Sequence, residues 1–365
     1  MQLPVGKLDS DLLREIVFDK IKYRDGQVKV RPGIGEDCAV VDFGGYDCIM
    51  STDPISAAVK DIGRLCIHIT CNDVASNGVK PLGIMLVVML PVGTTSEDVE
   101  HIMGQAAETA AKLEVEIIGG HTEITPSVKQ PVIVSTAIGK APAGASQSGN
   151  EMEPGDYILM TKSCGLEGAG IAATDFGSVL LTGEPEDDEN APDSGGVKRD
   201  SVAFTEEEVK RAMSFLDRVS VIKEGVAAGK VGTHGMHDIT EGGILGAIWE
   251  MCQISEVGAE VWEDDIPIEP ETGKICIRFG LDPLRLISSG SMVIISPEGK
   301  LEEMKAAIEA EGVPVSIIGR VCPREDGICL VRGGADPGED HKGNTKEIID
   351  PPRMDEIYKI VERKE

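Results

Sequence analysis

The chain has 365 residues, more than a single hydrophobic core ordinarily serves, so two domains are expected. Apolar residues make up 41% and charged residues 27%, as in folded globular proteins, and aromatics at 3% leave the core to aliphatic side chains. A net charge of −28 excludes ready binding to nucleic-acid phosphates; the longest apolar run, Ile84 to Leu90, is far short of the roughly 20 residues a membrane span needs, and the N-terminus carries no basic-then-apolar export signal, so the expectation is a cytoplasmic protein with neither nucleic acid nor membrane as partner.

In chain order, Ile62, Leu65, Cys66 and Ile69 recur at helical spacing, with His68 read as a packed residue of that helix. The run Gly83–Pro91 is short, apolar and closed by proline, which predicts a buried strand. Thr95 or Ser96 caps the next helix, with Glu97 and Asp98 in its first turn and Val99, Ile102, Met103, Ala106, Ala110 and Leu113 on one face. Strands are predicted at Val115–Ile118 and Val132–Ile138, and Lys140–Gly149 has linker composition, which puts the domain boundary near residue 150.

Beyond it, the acidic tract 183–196 reads as a surface loop, Ile244–Cys252 as an apolar helix, and Met292–Ser296, Leu301–Ala310 and Val315–Val321 as strand, helix and strand. The resulting division is 1–150, 151–335 and a tail, 336–365, ending in a short helix over Met354–Arg363. Nine cysteines without a CxxC pair or dense spacing read as buried thiols.

Four segments of the first third set an acid beside glycine or at an element end: Gly33-Ile34-Gly35-Glu36-Asp37, Ser51-Thr52-Asp53, Cys71-Asn72-Asp73 and Gly119-Gly120-His121-Thr122-Glu123. Magnesium takes oxygen ligands and is usually held by one or two carboxylates plus phosphates, which Asp37, Asp53 and Asp73 suit. Glycines let backbone N–H groups approach phosphate oxygens, which Gly33, Gly35, Gly119 and Gly120 suit. Taken singly, each segment also reads as a turn or a cap. Asn72-Asp73 is the most informative, because a carboxylate next to an apolar helix is costly to bury unpaired.

There is no GxxxxGK[ST] loop, no complete GxGxxG, no GxSxG elbow and no HExxH. Further on, Asp238 or Thr240 caps the helix that follows Gly242-Gly243, or contacts a ligand; Ser288-Ser289-Gly290-Ser291 carries the same two readings.

In their order these segments resemble the PurM-like superfamily of ATP-using enzymes, which includes aminoimidazole ribonucleotide synthetase, thiamine-monophosphate kinase, selenophosphate synthetase and the hydrogenase maturation factor HypE. Gly35-Glu36-Asp37-Cys38-Ala39 resembles the group's GDDAA-like segment, Asn72 to Pro81 its ND-A-G-P segment and Gly119 to Thr122 its GGxT turn. His237 to Gly243, with Ser288 to Gly290, is most similar to the hydrogenase factor.

The resemblance, over roughly residues 8–330, implies an α/β (α+β) fold of two domains. The N-terminal domain would form a dimer sheet or barrel, with ATP in a cleft at the interface of a homodimer. It implies nucleotide contacts from Gly33, Gly35, Asn72, Gly119, Gly120, His121 and Thr122, and magnesium on Asp37, Asp53 and Asp73. The implied activity is phosphorylation or activation of an oxygen on a small-molecule or protein-borne acceptor.

Alternatives of the same resemblance are a small-molecule kinase like thiamine-monophosphate kinase, or a nucleotide-binding maturation partner with little turnover. The hydrogenase factor uses a cysteine after a C-terminal Pro-Arg pair; here Pro352-Arg353 is followed by Met354-Asp355, and the last cysteine is Cys329. Selenophosphate synthetases carry a reactive Cys or Sec near the N-terminus, where this chain has no cysteine before Cys38.

Overall fold

The computed structural model describes residues 3, 8, 10–56, 60–147, 151–182, 202–333, 345–352 and 354–361. They form two compact units, one from the described residues of 10–149 with 220–232, the other from those of 1–9, 150–219 and 233–365. Among the described residues no helix is long and apolar enough to cross a membrane, and no disulfide links the nine cysteines.

The N-terminal unit begins with helix α1 (Ser10–Ile16) and strands β1 (Val28–Val30), β2 (Ala39–Asp42) and β3 (Tyr46–Ile55). Helix α2 (Ile62–Ser76), β4 (Pro81–Leu90), α3 (Ser96–Leu113), β5 (Glu116–Ile124) and β6 (Val132–Pro142) follow. The six strands make one sheet in the order β1-β2-β3-β6-β4-β5. All pairs are antiparallel except β4–β5, which α3 joins as a crossover.

Thr95 caps α3 in a reciprocal box: its hydroxyl accepts the Asp98 N–H at 3.2 Å while the Asp98 carboxylate accepts the Thr95 N–H at 2.9 Å. Helix α2 lies on one face of the sheet, against β3, β6 and β4. That face carries Ile49, Ile84, Leu86, Val88, Ile133 and Ala137, all buried.

The other face is open. The buried strand expected over Gly83–Pro91 is β4, but it is buried on one face only, with Leu82, Met85 and Val87 at 60%, 42% and 37% exposure. An apolar run alone does not distinguish a strand covered on both faces from one whose second face awaits a partner.

The Gly119-Gly120 turn is likewise corrected: both residues lie inside edge strand β5, paired with Met85 and Leu86. A Cβ on Gly120 would stand 1.8 Å from the Leu86 carbonyl oxygen, so the glycine is needed for close strand approach rather than for a reversal. The expected linker also begins late, since Lys140, Ala141 and Pro142 still belong to β6.

The C-terminal unit contains β7 (Tyr157–Thr161), α4 (Leu166–Thr182) and α5 (Glu206–Ser214). Then α6 (Ile222–Val231) joins the N-terminal unit, packing on α2. Asn72, buried in α2, accepts the Val221 N–H at the start of α6 on its side-chain oxygen at 2.9 Å. This satisfies one of the donors a helix start leaves open.

The chain resumes the C-terminal unit with β8 (Gly235–Asp238), α7 (Gly243–Ser255), β9 (Gly258–Trp262), α8 (Pro270–Phe279), β10 (Met292–Ser296) and α9 (Leu301–Ala310). Strands β11 (Val315–Cys322), β12 (Ile328–Arg332) and β13 (Thr345–Ile348), with the short α10 (Tyr358–Val361), complete it. Its seven-stranded sheet runs β13-β12-β9-β11-β7-β10-β8, antiparallel apart from β9–β12.

Ile158, Met160, Val261, Val293 and Ile295 of this sheet share a core with Ile244, Ile248 and Met251 of α7. The tract expected as a loop at 183–196 lies outside the described residues, as do 336–344 of the expected tail and 362–363 at the end of the helix expected over Met354–Arg363. Within the described part of that helix, only Tyr358–Val361 is helical.

Two outcomes check this packing. Gly120→Ala is expected to cost about 2–3 kcal/mol in chemical unfolding, as an overpacked strand pair does, whereas Gly104→Ala, in open space on α3, should stabilise by about 0.5–1 kcal/mol. Asn72→Ala, which strands the Val221 N–H, should cost about 1–3 kcal/mol and raise hydrogen exchange selectively over 220–232.

Candidate functional site

Alternation along β3 puts Ile49, Ser51 and Asp53 on the face under α2, and the helix presents Thr70 and Asp73 to the same place. The Ser51 hydroxyl donates to Asp73 Oδ2 at 2.5 Å and lies 3.4 Å from Asp53 Oδ2, so two carboxylates from distant segments meet at one hydroxyl. Asp73 is 6% exposed and Asp53 half-buried.

Behind them Thr70 and Ser135 hydrogen-bond through their hydroxyls, and Ser135 sits opposite Asp53 in the β3–β6 register. The result is a strip of oxygen donors set into an otherwise aliphatic helix-on-sheet interface. Two carboxylates sharing one donor repel each other, and a hard divalent cation relieves that repulsion. The donor set, oxygens alone, suits magnesium better than a softer ion.

Asp37 sits half-buried in the segment leading into β2. Ala39 pairs with Met50, so Asp37 leaves the β2–β3 ladder at the same end as Ser51 and Asp53. Gly33 and Gly35 belong to that segment, Gly35 with φ +70°. Asn72, one residue from Asp73, spends its side-chain oxygen on Val221.

Gly119, Gly120, His121 and Thr122 lie two strands away from β3, beyond β6 and β4, on the exposed edge strand β5. There His121 Nε2 is 3.3 Å from Glu123 Oε2. The structure therefore brings together Asp53 and Asp73 and leaves the Gly-Gly segment at the sheet's edge. Sequence reasoning passed over Ser51, Thr70 and Ser135; the available signal was Ser51 two residues before Asp53, on the same face of a strand.

In the C-terminal unit, neither residue expected to cap α7 does so. Asp238 is buried within β8, and Thr240 contributes only its carbonyl, which accepts the Gly243 N–H at 3.1 Å. The N-cap is Gly242, and its N–H donates instead to Asp355 Oδ2 of the tail at 2.7 Å. His237, buried, has Nδ1 2.6 Å from the Asp238 carbonyl and Nε2 3.5 Å from Glu250.

Ser288 secures the start of α4, its hydroxyl accepting the Gly165 N–H at 2.6 Å and donating to the Leu286 carbonyl at 2.8 Å. Next to it Ser289 lies against Glu167, a fully enclosed residue of the first turn of α4. Burial pushes the Glu167 carboxyl up to about 7, with Ser289 opposing and the Asp355 and Glu241 charges adding to the rise.

A protein of Methanocaldococcus jannaschii provisionally named a hydrogenase expression/formation protein is 29% identical over 336 residues, 89% of this chain and 91% of that one. The carbamoyl dehydratase HypE of Rhizobium leguminosarum bv. viciae is 29% identical over 297 residues, 79% of this chain and 77% of that one. A solved structure of the hydrogenase maturation protein HypE in complex with ATP superposes with a TM-score of 0.59 at 24% identity, over 82% of this chain and 86% of that one. The N-terminal and C-terminal domain models of AIR synthase related proteins match residues 35–141 and 153–332; similar to HypE proteins, and with both halves matched in order and the two-domain fold in place, the chain belongs to the AIR synthase related family.

Proposed function

We propose that this protein is an ATP- and magnesium-dependent enzyme that phosphorylates or otherwise activates an oxygen of a small-molecule or protein-borne acceptor. The observation that carries the reading is the Ser51 hydroxyl held between Asp73 and Asp53. The HypE structure in complex with ATP supports the choice of nucleotide. Asp53 and Asp73, with Asp37 at the same end of the sheet, are the proposed magnesium ligands, and bound magnesium would neutralise charge on the phosphates. Gly33, Gly35, Asn72 and the Gly119–Thr122 segment are the proposed nucleotide contacts.

In the proposed reaction an acceptor oxygen attacks the γ-phosphorus, the bond from phosphorus to the β,γ-bridging oxygen breaks, and ADP leaves with that electron pair. This chemistry asks the protein for positioning and electrostatics more than for a nucleophile. Ser51 would orient the two carboxylates, and the α2–sheet packing would hold them at fixed spacing. Carbamoyl dehydratase is the name the HypE relatives carry; in this chain the Pro352-Arg353 pair is followed by Met354-Asp355 and the last cysteine is Cys329, which favours an acceptor other than an enzyme-borne cysteine.

The proposed assembly is a homodimer in the cytoplasm. The open sheet face, with Met85 and Val87 exposed beside half-buried Met50, Val134 and Ile138, is an apolar surface that a second copy would cover.

Asp73→Asn and Asp53→Asn are expected to keep the circular-dichroism spectrum while weakening ATP binding in magnesium at least tenfold, about 1.4 kcal/mol, with little change in EDTA; calorimetric titration reads both arms, and unchanged affinity in magnesium would remove these residues as ligands. ADP release that depends on an added acceptor separates the enzyme from a nucleotide-binding partner with little turnover. Met85→Glu combined with Val87→Glu should convert a dimer to monomers in sedimentation velocity; a wild type that sediments as a monomer would sink the proposed assembly.

A further inference from the structure

Beyond β13, side-chain bonds fasten the C-terminal tail to its unit, and Asp355 accepts most of them. Asp355 is 2% exposed, and its carboxylate accepts three backbone N–H groups from separate places: Gly242 at the start of α7 at 2.7 Å, Ile287 at 3.3 Å and Ile357 at 2.8 Å. Pro352 packs beside it; a Cβ on Gly242 would stand 3.1 Å from Pro352 Cβ, so the glycine makes room for the tail. Glu356 adds a second fastening, accepting the Asp282 N–H at 3.0 Å while paired with Lys359 at 2.6 Å.

Two more acids face this clasp. Glu167 approaches from α4, with Oε2 buried and making no hydrogen bond among the described residues. Glu241 approaches from the turn before α7 and accepts the Tyr358 hydroxyl at 3.1 Å. Among the described residues no lysine, arginine or histidine pairs with Glu167, Glu241 or Asp355. The three acids do not converge closely enough to form a metal cluster, which leaves protons as the means of reducing their mutual repulsion.

We propose that Asp355 is a proton-controlled clasp, with Glu167 as the proton-bearing gate, that holds the tail on the C-terminal unit at acidic to neutral pH and loosens it as the medium turns alkaline. The clasped tail keeps Glu167 and Asp355 out of water and beside like charges, whereas release returns them to the ordinary carboxylate range. Burial raises Glu167 to about 7 and Asp355 to about 6, the latter despite its three N–H donors. Both groups bind protons more tightly when clasped, so their contribution is fully present below about pH 4, the released value. It is lost as pH rises through 6 and 7. With Glu167 neutral, an ionised Asp355 is held by its N–H donors and the α7 dipole; once Glu167 also ionises, two buried carboxylates repel each other beside half-buried Glu241.

The test is hydrogen exchange with mass spectrometry on the full chain from pH 5.5 to 8.5, corrected for the intrinsic pH dependence of exchange. Protection of peptides over 355–361 is expected to fall at least tenfold between pH 6 and 8 while the β7 and β10 peptides stay protected. Glu167→Gln should flatten that dependence with the tail held at pH 8, and Asp355→Asn should leave the tail weakly protected at every pH. Tail protection that is constant with pH in the wild type overturns the proposal. So does a fall of tenfold or more between pH 6 and 8 that survives Glu167→Gln, or a parallel loss across the whole unit; if Glu167→Gln does not fold, a tenfold fall over the same range that survives Asp355→Asn is equally decisive.

Discussion

Burying a carboxylate inside a helix-on-sheet interface is the constraint on which the N-terminal unit depends. Helix α2 covers β3, β6 and β4 with aliphatic side chains, yet carries Asp73 inward at 6% exposure. An isolated ionised carboxylate there would cost several kcal/mol. The interface tolerates it because Ser51, Thr70 and Ser135 make a hydroxyl strip across the helix and two strands. A core of this kind gives up apolar contact in return for oxygen donors held on rigid elements, as the proposed metal–phosphate site would require.

The same sheet explains the unit's other face. One side is covered by α2 over β3, β6 and β4, and the opposite side keeps Met85, Val87 and Leu82 in solvent. Strand β5 sits at the edge with its glycines, so His121 and Glu123 are presented outward. The face and the edge belong to one surface, and covering the face with a second copy would bring that edge within reach of another chain.

The C-terminal unit solves a different problem. Its core is largely aliphatic, although β8 carries the buried His237 and Asp238, and at element ends loops hold one another through side-chain-to-backbone bonds. Ser288 holds the start of α4, and Asp355 holds the start of α7. Glycine at 242 leaves no side chain to cap its own helix, and a residue more than a hundred positions later supplies the acceptor.

Much of this was legible in the sequence because it depends on local periodicity. The capping box at Thr95, the helix 301–310 and the strand 292–296 follow from spacing and cap chemistry that neighbouring residues decide. The acids at 53 and 73 were legible as candidates for the same reason: each stands out against an apolar background. What the sequence could not carry was distance across the chain. That Ser51 lies between two aspartates, that Gly119-Gly120 is close-packed strand rather than turn, that Asn72 is spent on α6, and that Asp355 rather than Asp238 or Thr240 serves α7 all depend on register and packing between segments 20 to more than 100 residues apart. Periodicity by itself determined which residues face inward; only the tertiary structure decided which inward residues meet, because hydrogen bonds and charge interactions act over a few ångströms of space and take no account of separation along the chain.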